Sequence, residues 1–398
     1  MSKLLPVSNE ALEDCHFRGG MDILSAYVNN NPESKIFNGK GLIVGGSHKV
    51  HQHNEKILIG DLSAVLMQNL KFYAQWYRTP DLGIALMDDW EQKVDAMARN
   101  TVGEDVTNIS GVPTWTIVLI KKLFELSGKK SLNEIWPNFE LYIHGGVNFE
   151  PYREQFKMLT ADTNTKFYQT YNASEGFFGF QESNSDNDLL LHLNNGVFYE
   201  FLPVEEIGKE NPKTLLLHEV KENESYGLIV TTNSGLWRYM IGDTVKFTSV
   251  SPFKIVVNGR VKHFINAFGE EVIVDNSDRA IAMACSATNA HVSDYTVAPI
   301  YLTLNKKGAH EWFIEFDKHP ENLESFITQL DKSLRLVNSD YDAKRQKDIA
   351  LSQPVVHVLQ PGSFHHWLKS KNKLGGQHKV PRLSNNRIIA EELLTMLV

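Results

Sequence analysis

Residues 171–176 have the sequence Tyr-Asn-Ala-Ser-Glu-Gly and directly follow the apolar–polar stretch 165–170. That alternation predicts a β-strand, so the motif would lie where the strand gives way to a loop. The carboxyl ends of strands are where α/β sheets bind ligands. Hydroxyl groups with one carboxylate, Glu175, suit a hydrated Mg²⁺ ion. The alternative is an ordinary turn in which Ser174 bonds the backbone.

A second motif, Trp-Arg-Tyr-Met-Ile-Gly-Asp, occupies residues 237–243. Gly242 permits an unusual backbone turn, and Asp243 could accept hydrogen bonds from two ribose hydroxyls. A β-turn that joins two barrel strands is the other interpretation of these residues. Neither motif is persuasive alone, but together they favour a nucleotide site.

Composition limits the classes of function. The 398 residues are 42% hydrophobic, which is enough for two or more domains with sizeable cores. A net charge of -8 argues against nucleic-acid or anionic-membrane partners. Two cysteines, Cys15 and Cys285, imply no disulfide framework and favour a reducing compartment. The cysteine usage makes the cytoplasm the expected location, and the sequence gives no sign of an obligate protein partner. No stretch approaches the roughly 20 apolar residues that span a bilayer, so we expect a soluble protein.

The order of predicted elements indicates an α/β domain followed by a smaller α+β domain. Several short β-rich runs between residues 188 and 262 suggest hairpins or a small barrel. A change in sequence character then predicts a boundary near residues 258–262, which gives domains 1–258 and 259–398. The other expected elements are helices at 8–31, 61–77, 112–126 and 321–336, strands at 41–46, 141–146 and 355–359, a hairpin around 306–308 and two C-terminal helices.

Two patterns imitate known sites. The glycines in residues 39–45 resemble a dinucleotide fingerprint, but they precede and end a strand instead of opening a helix. His48, His51 and His53 could bind a metal, yet no partnering cysteine or HExxH pattern is present. We expect a polar loop there and no zinc site.

The C-terminal stretch 375–382 has the sequence Gly-Gly-Gln-His-Lys-Val-Pro-Arg. A mobile glycine loop that carries Lys379 could bring a positive charge to a developing phosphate charge. An exposed basic linker before the last helix is the alternative.

Four motifs occur in the order found in the auxin-responsive Gretchen Hagen 3 family of acyl acid amido synthetases. These motifs are YNASEG (171–176), WRYMIGD (237–243), NGRVKHFIN (258–266) and GQHKVPR (376–382). Residues 110–115, 144–152 and 264–271 resemble bacterial members of the family. The family is similar to the adenylate-forming superfamily of firefly luciferase and acyl-CoA synthetases. The resemblance therefore implies a large α/β adenylation domain with a small β-barrel part, followed by a mobile C-terminal domain.

The resemblance also implies an ATP- and Mg²⁺-dependent ligase. In this family a carboxylate attacks the α-phosphate of ATP to give an acyl-adenylate and pyrophosphate. An amine, typically of an amino acid, then displaces AMP to leave an amide. A thioester-forming ligase that uses coenzyme A is an alternative.

The family's nucleotide-binding residues can be assigned by position. Tyr171, with the backbone of Ala173 and Ser174, would flank the adenine, and Gly145 and Gly146 would form its shelf. The remaining roles concern the phosphates and the ribose.

Glu175 would serve the Mg²⁺ ion and the α-phosphate, as both a catalytic and a metal-binding residue. Asp243 would accept hydrogen bonds from the ribose hydroxyls, and Arg260 would lie nearby, at the hinge between the two domains. Lys379 resembles the mobile catalytic lysine, which would arrive by rotation of the C-terminal domain.

Large apolar residues suggest where the acyl group would bind. Val112, Trp115 and Phe177 are the expected acyl-pocket residues, and the same side chains could instead be core.

The family's first motif, a Ser/Thr/Gly-rich phosphate loop, should lie immediately before a segment like residues 2–8. We therefore expect that about a hundred family residues, with backbone donors for the pyrophosphate, are absent. An inactive remnant that binds a nucleotide or an acyl ligand without catalysis is the alternative to a ligase.

Overall fold

The computed structural model describes residues 4–45, 51–55, 57–87, 89–161, 163–260, 264–346, 350–371 and 380–396. The chain divides into two compact units, Met1–Val261 and Lys262–Val398. Within the described residues, no helix combines the length and apolar content needed to cross a membrane.

The first unit is built on an 11-stranded sheet, apart from a two-stranded hairpin of β2 and β3. Its strands are β1 Lys40–Val44, β2 His51–Asn54, β3 Ile57–Ile59, β4 Arg78–Thr79, β5 Val106–Gly111, β6 Leu141–His144, β7 Lys166–Ala173, β8 Gly176–Phe180, β9 Leu189–Leu191, β10 Val197–Pro203, β11 Ser225–Thr232, β12 Tyr239–Val250 and β13 Phe253–Arg260. The spatial order of the large sheet is β10-β11-β12-β13-β9-β8-β7-β6-β5-β1-β4.

The large sheet has a parallel half and an antiparallel half that meet at β7. Strands β4, β1, β5, β6 and β7 pair in parallel, and the strands from β8 to β10 pair antiparallel. The β-rich segment expected as hairpins or a small barrel supplies this antiparallel half. The carboxyl ends of the parallel strands lie at one edge, because parallel strands run in the same direction.

The α-helices of the first unit precede or connect the strands of the parallel half, and two of the 3₁₀ turns lie between β10 and β11. They are α1 Asn9–Ala11, a π-helical turn Leu12–Phe17, α2 Arg18–Asn30, α3 Leu62–Gln68, α4 Leu82–Ala85, α5 Trp90–Thr101, α6 Pro113–Ser127, α7 Leu132–Ile135, α8 Glu150–Leu159 and 3₁₀ turns at Ala74–Tyr77, Val204–Glu206 and Leu217–Glu219. Side-chain caps fix several helix starts: the Ser8 hydroxyl accepts from Ala11 N at 3.2 Å, and Asp89 accepts from Gln92 N at 3.0 Å.

Two sequence-based expectations differ from the structure here. The helix expected at 61–77 ends at Gln68, because the Asn69 side chain donates to the Val65 carbonyl at 2.8 Å and competes with the helical backbone. The polar loop expected around His51 and His53 is wrong, since both residues lie in strand β2, paired with β3. His48 lies outside the described residues. The described part of the chain contains no group of three or more His, Cys, Asp and Glu side chains able to hold a metal ion.

The second unit contains a three-stranded sheet in the order β16-β17-β18 and a short β14–β15 hairpin. Its elements are β14 Phe264–Ile265, β15 Val272–Ile273, α9 Val274–Thr288, β16 His291–Ile300, β17 Ala309–Lys318, α10 Leu323–Val337, α11 Ser339–Arg345, β18 Val355–Leu359, α12 Ser363–Ser370 and α13 Ile388–Met396. This matches the expected hairpin, helix, strand and pair of C-terminal helices.

Candidate functional site

Two glycines follow β6 at the carboxyl edge of the parallel strands. A Cβ atom on Gly145 would lie 2.7 Å from Thr170 Oγ1 and 2.8 Å from the Thr170 carbonyl oxygen, so only glycine allows this close approach to β7. Gly146 has φ +80°, and a Cβ atom there would lie 3.3 Å from Cγ2 of Val112. The glycine loop therefore lies between the end of β7 and the start of α6.

The motif YNASEG forms a tight hairpin, which the sequence did not predict. Strand β7 continues to Ala173, which pairs with Gly176, and Ser174 and Glu175 form the two-residue turn into the antiparallel strand β8. Glu175 is 9% exposed although it lies at the turn. Strand β7 does end within the motif, as expected, but a two-residue turn follows it, as in the alternative interpretation, and not a longer loop.

The motif WRYMIGD contains a bulge inside strand β12. Residues 241–243 lie opposite the single residue Leu228 of β11, and Gly242 has φ +98°. Gly242 does adopt an unusual backbone conformation, as expected, but it does so inside a strand. The alternative, a β-turn between two strands at Gly242, is wrong, because residues 239–243 stay within β12; Trp237 and Arg238 precede that strand. A bulge of this kind re-aims side chains and is common next to active sites.

The two motifs meet through one buried hydrogen bond. The Tyr171 hydroxyl donates to Asp243 Oδ2 at 2.7 Å, and both side chains are 8% exposed. The residues are 72 positions apart in the chain. The bond helps to orient the Asp243 carboxylate, and it ties β12 to β7, the strand at which the parallel and antiparallel halves of the sheet meet.

Two other predicted site residues are described only in part or not at all. Arg260 is the last residue of β13, and its Cα pairs with that of Asp243. Lys379 lies outside the described residues. The backbone register therefore brings Arg260 to Asp243, and the position of Lys379 stays a prediction.

The expected acyl-pocket residues pack against different helices. The Trp115 ring lies 4.1 Å from that of Trp90 on α5, with 57° between their planes. Phe177 packs against α2, where a Cβ atom on Gly19 would lie 2.3 Å from the Phe177 ring. The core role that the sequence left open for Phe177 agrees with this packing, while Val112 lies beside Gly146.

Sequence reasoning missed several buried polar groups next to the two motifs. His16 Nδ1 lies 3.2 Å from Asn172 Oδ1, and Cys15 Sγ accepts from Phe177 N at 3.2 Å. Burial lowers the pKa of His16 to about 4 and raises the pKa of the Cys15 thiol. The signal available in the sequence was a pair of polar residues inside an amphipathic first helix.

His144, directly before the glycine loop, is another buried histidine. Its ring stacks on Phe149 with 3.8 Å between centroids. Burial first, and the nearby Arg153 guanidinium second, lower the pKa of His144 to about 3. The imidazole is therefore neutral at pH 7 and supplies no charge to the site.

Family comparisons cover most of the chain. The sequence profile of the GH3 family N-terminal domain matches residues 1–165, that of the GH3 family central domain matches residues 190–260, and that of the GH3 family C-terminal domain matches residues 275–388. The chain belongs to the GH3 family.

Individual GH3 relatives are similar over part of their length. The jasmonoyl-L-amino acid synthetase JAR4 of Nicotiana attenuata is 27% identical over 63% of this chain and 45% of its own length. The indole-3-acetic acid-amido synthetase GH3.3 of Arabidopsis thaliana is 22% identical over 79% of this chain and 57% of its own length. This GH3 chain thus spans about half the length of these curated relatives.

A solved GH3 structure shares the fold. The acyl acid amido synthetase AtGH3.15, solved in complex with 2,4-DB, aligns with a TM-score of 0.57 at 17% identity. The alignment covers 99% of this chain and 79% of that protein. The α/β fold with a C-terminal domain, expected from the sequence, is confirmed.

Proposed function

We propose that this GH3 chain is an ATP-dependent ligase that joins a carboxylic acid to an amino acid through an acyl-adenylate. The single observation that carries the proposal is the bond from Tyr171 to Asp243, which joins two sequence motifs into one buried site. Membership of the GH3 family supports it, because the relatives are named as amido synthetases.

The nucleoside would be held by residues that the fold brings together. Asp243, oriented by Tyr171, would accept hydrogen bonds from the ribose hydroxyls. Gly145 and Gly146 would form a flat shelf for the adenine, because no side chain projects from either residue. Tyr171 and the backbone of Ala173 and Ser174 would flank the base.

Glu175 suits a Mg²⁺ ion that arrives with the nucleotide. This cation prefers oxygen ligands and is commonly bound by one or two carboxylates together with substrate phosphates. A single carboxylate at the hairpin turn fits that requirement without a larger protein cage. When bound, the ion would neutralise phosphate charge, and Glu175 would hold it near the α-phosphate.

Lys379 would stabilise the charge that develops on the α-phosphate as the substrate carboxylate attacks. A carboxylate oxygen forms a bond to the α-phosphorus, and the bond from that phosphorus to the pyrophosphate oxygen breaks. In the second step the amine attacks the acyl carbonyl and AMP leaves.

Arg260 would lie beside the ribose, and the domain limits would be 1–258 and 259–398.

Val112 and Trp115 would line the acyl pocket beside the glycine loop. Phe177, on strand β8, would contribute an apolar side chain to the same pocket. These large apolar residues favour an aromatic or fatty acid. The two cysteines, neither in a disulfide, support a cytoplasmic location.

The test is carboxylate-dependent ATP–pyrophosphate exchange, screened over many carboxylic acids with this chain. Exchange that requires an acid, followed by amide formation when amino acids are added, is the expected result. Parallel reactions with coenzyme A would reveal a thioester ligase instead. Calorimetric AMP binding without exchange for any acid would contradict the ligase and support nucleotide binding without catalysis.

A further inference from the structure

The first helix contains one turn of π-helix at Leu12–Phe17, between α1 and α2. The π-helix is rare, and single turns of it occur frequently at functional sites. No proline or glycine lies in this turn to cause it. We therefore look for the cause of the turn in the contacts of its side chains, and Cys15 and His16 make such contacts.

These two consecutive residues contact both strands of the YNASEG hairpin. His16 Nδ1, as the protonated ring nitrogen, donates to Asn172 Oδ1 at 3.2 Å, and the Phe177 amide donates to Cys15 Sγ at 3.2 Å. Asn172 and Phe177 are direct cross-strand partners. The π-helical turn thus fixes both strands at the same level, immediately below the tip that carries Glu175.

The hairpin needs such support because its strand pairing is irregular. Tyr171 pairs with Gly179 and Asn172 with Phe177, so Phe178 is an extra residue on β8. A bulge of this type disrupts the hydrogen-bond ladder locally. The backbone groups of Phe177 instead bind side chains, since its carbonyl accepts from Asn195 Nδ2 at 2.5 Å.

All three supporting side chains are buried: Cys15 is 1%, His16 5% and Asn195 0% exposed. At neutral pH the shifted pKa values leave both the thiol and the imidazole uncharged. The contacts of these groups are to the hairpin, so they act on it through hydrogen-bond geometry and packing.

We propose that Cys15 and His16 are positioning residues, which hold the base of the hairpin and thereby set the position of Glu175. We call their two contacts, to Asn172 and Phe177, the Cys15–His16 clasp. Its effect on Mg²⁺ and phosphate rests on the proposed function. The clasp itself is a property of the hairpin and can be tested without the reaction. A misplacement of about 1 Å is enough to cost on the order of 10²-fold in a catalytic step.

The first experiment measures amide hydrogen exchange at residues 173–176. His16→Leu and Cys15→Ala should raise exchange at least tenfold there and leave the amides of β5 and β6 unchanged. Cys15→Ser keeps an acceptor for the Phe177 amide and should restore slow exchange. Asp14→Asn, an exposed change in the same π-helical turn, should behave as the parent chain. Unchanged exchange at 173–176 in the folded His16→Leu and Cys15→Ala variants would overturn the clasp.

The second experiment separates the clasp from general damage. His16→Leu and Cys15→Ala should raise the Mg²⁺ concentration for half-maximal pyrophosphate exchange about tenfold, and they should weaken AMP binding by a smaller factor, because Ala173 and Ser174 of the same hairpin are proposed to flank the base. An equal loss of AMP affinity would overturn the link to Glu175. If the parent chain shows no pyrophosphate exchange, the proposed function fails and the link fails with it, whereas the amide measurement still decides the clasp.

Discussion

The Tyr171 hydroxyl donates a 2.7 Å hydrogen bond to the Asp243 carboxylate, and both groups are buried. The bond joins the end of a parallel strand to a bulge in an antiparallel strand. It helps to orient the carboxylate, and it satisfies the tyrosine hydroxyl away from water.

Asp243→Ala should weaken AMP binding by roughly 1.5–3 kcal/mol, the usual value of a hydrogen bond to a charged group. Tyr171→Phe should weaken it less, because the carboxylate remains and loses only one of the hydrogen bonds that orient it. Calorimetry on both single variants and the double variant measures this. If Tyr171 acts through Asp243, its substitution has no further effect in the Asp243→Ala background. Glu210→Gln, at an exposed position of the same unit, is the control, and full additivity of the two losses would contradict the coupling.

Gly145→Ala should destabilise the first unit and weaken AMP binding together. The added methyl group would meet Thr170 Oγ1 at 2.7 Å and the Thr170 carbonyl at 2.8 Å, so the glycine loop must move away from β7. Overpacking of this kind costs about 1–3 kcal/mol. Urea unfolding and AMP calorimetry measure the two effects. Gly103→Ala, where an added Cβ has no atom within 4 Å, should change neither quantity appreciably. A neutral Gly145→Ala variant would argue against the close approach.

The sequence predicted the main elements well where apolar periodicity was strong. The buried helix α6 was expected at 112–126 and is observed at Pro113–Ser127, because Pro113 and Gly128 mark its ends. The residues of the candidate nucleoside site were named from motifs and a family resemblance. Their meeting through Tyr171 and Asp243 required the three-dimensional structure, since the two residues lie on strands that are not adjacent in the sheet.

Local irregularities were beyond sequence reasoning. The bulge at Gly242 depends on a mismatch with β11 across the sheet, and a glycine alone does not distinguish a bulge from a turn. The π-helical turn at Leu12–Phe17 has no sequence signal, because its stabilising contacts come from Asn172 and Phe177. Both features are set by tertiary partners far away in the chain.

Lys379→Ala should lower carboxylate-dependent pyrophosphate exchange roughly 10²–10³-fold, the usual effect of removing one group that stabilises transition-state charge. AMP affinity should stay close to that of the parent chain, because the role proposed for this lysine concerns the reacting phosphate and not the nucleoside. Exchange kinetics and calorimetry on the same preparation check both statements. Lys369→Ala, at an exposed position of α12, is the matched control. Equal exchange by Lys379→Ala and the parent would remove the catalytic role.

Acid should destabilise the protein through its buried histidines. The pKa of His16 is lowered by burial from 6.5 to about 4, so between these values the unfolded chain binds more protons than the folded one. The contribution to the free energy of unfolding is complete above pH 6.5 and is lost as the pH falls toward 4. This contribution amounts to roughly 3 kcal/mol, because each unit of pKa shift corresponds to about 1.4 kcal/mol. His144 acts in the same direction, so the loss in the parent chain exceeds that of one histidine.

His16→Gln should therefore flatten the dependence of unfolding free energy on pH between 7 and 4.5, whatever its effect on stability at pH 7. Urea titrations at several pH values measure that slope directly. His365→Gln, at an exposed position of α12, should leave the slope as it is in the parent chain. An identical slope in His16→Gln would show that His16 takes up its proton in the folded state without penalty. That outcome would conflict with an imidazole held neutral, by burial, against Asn172.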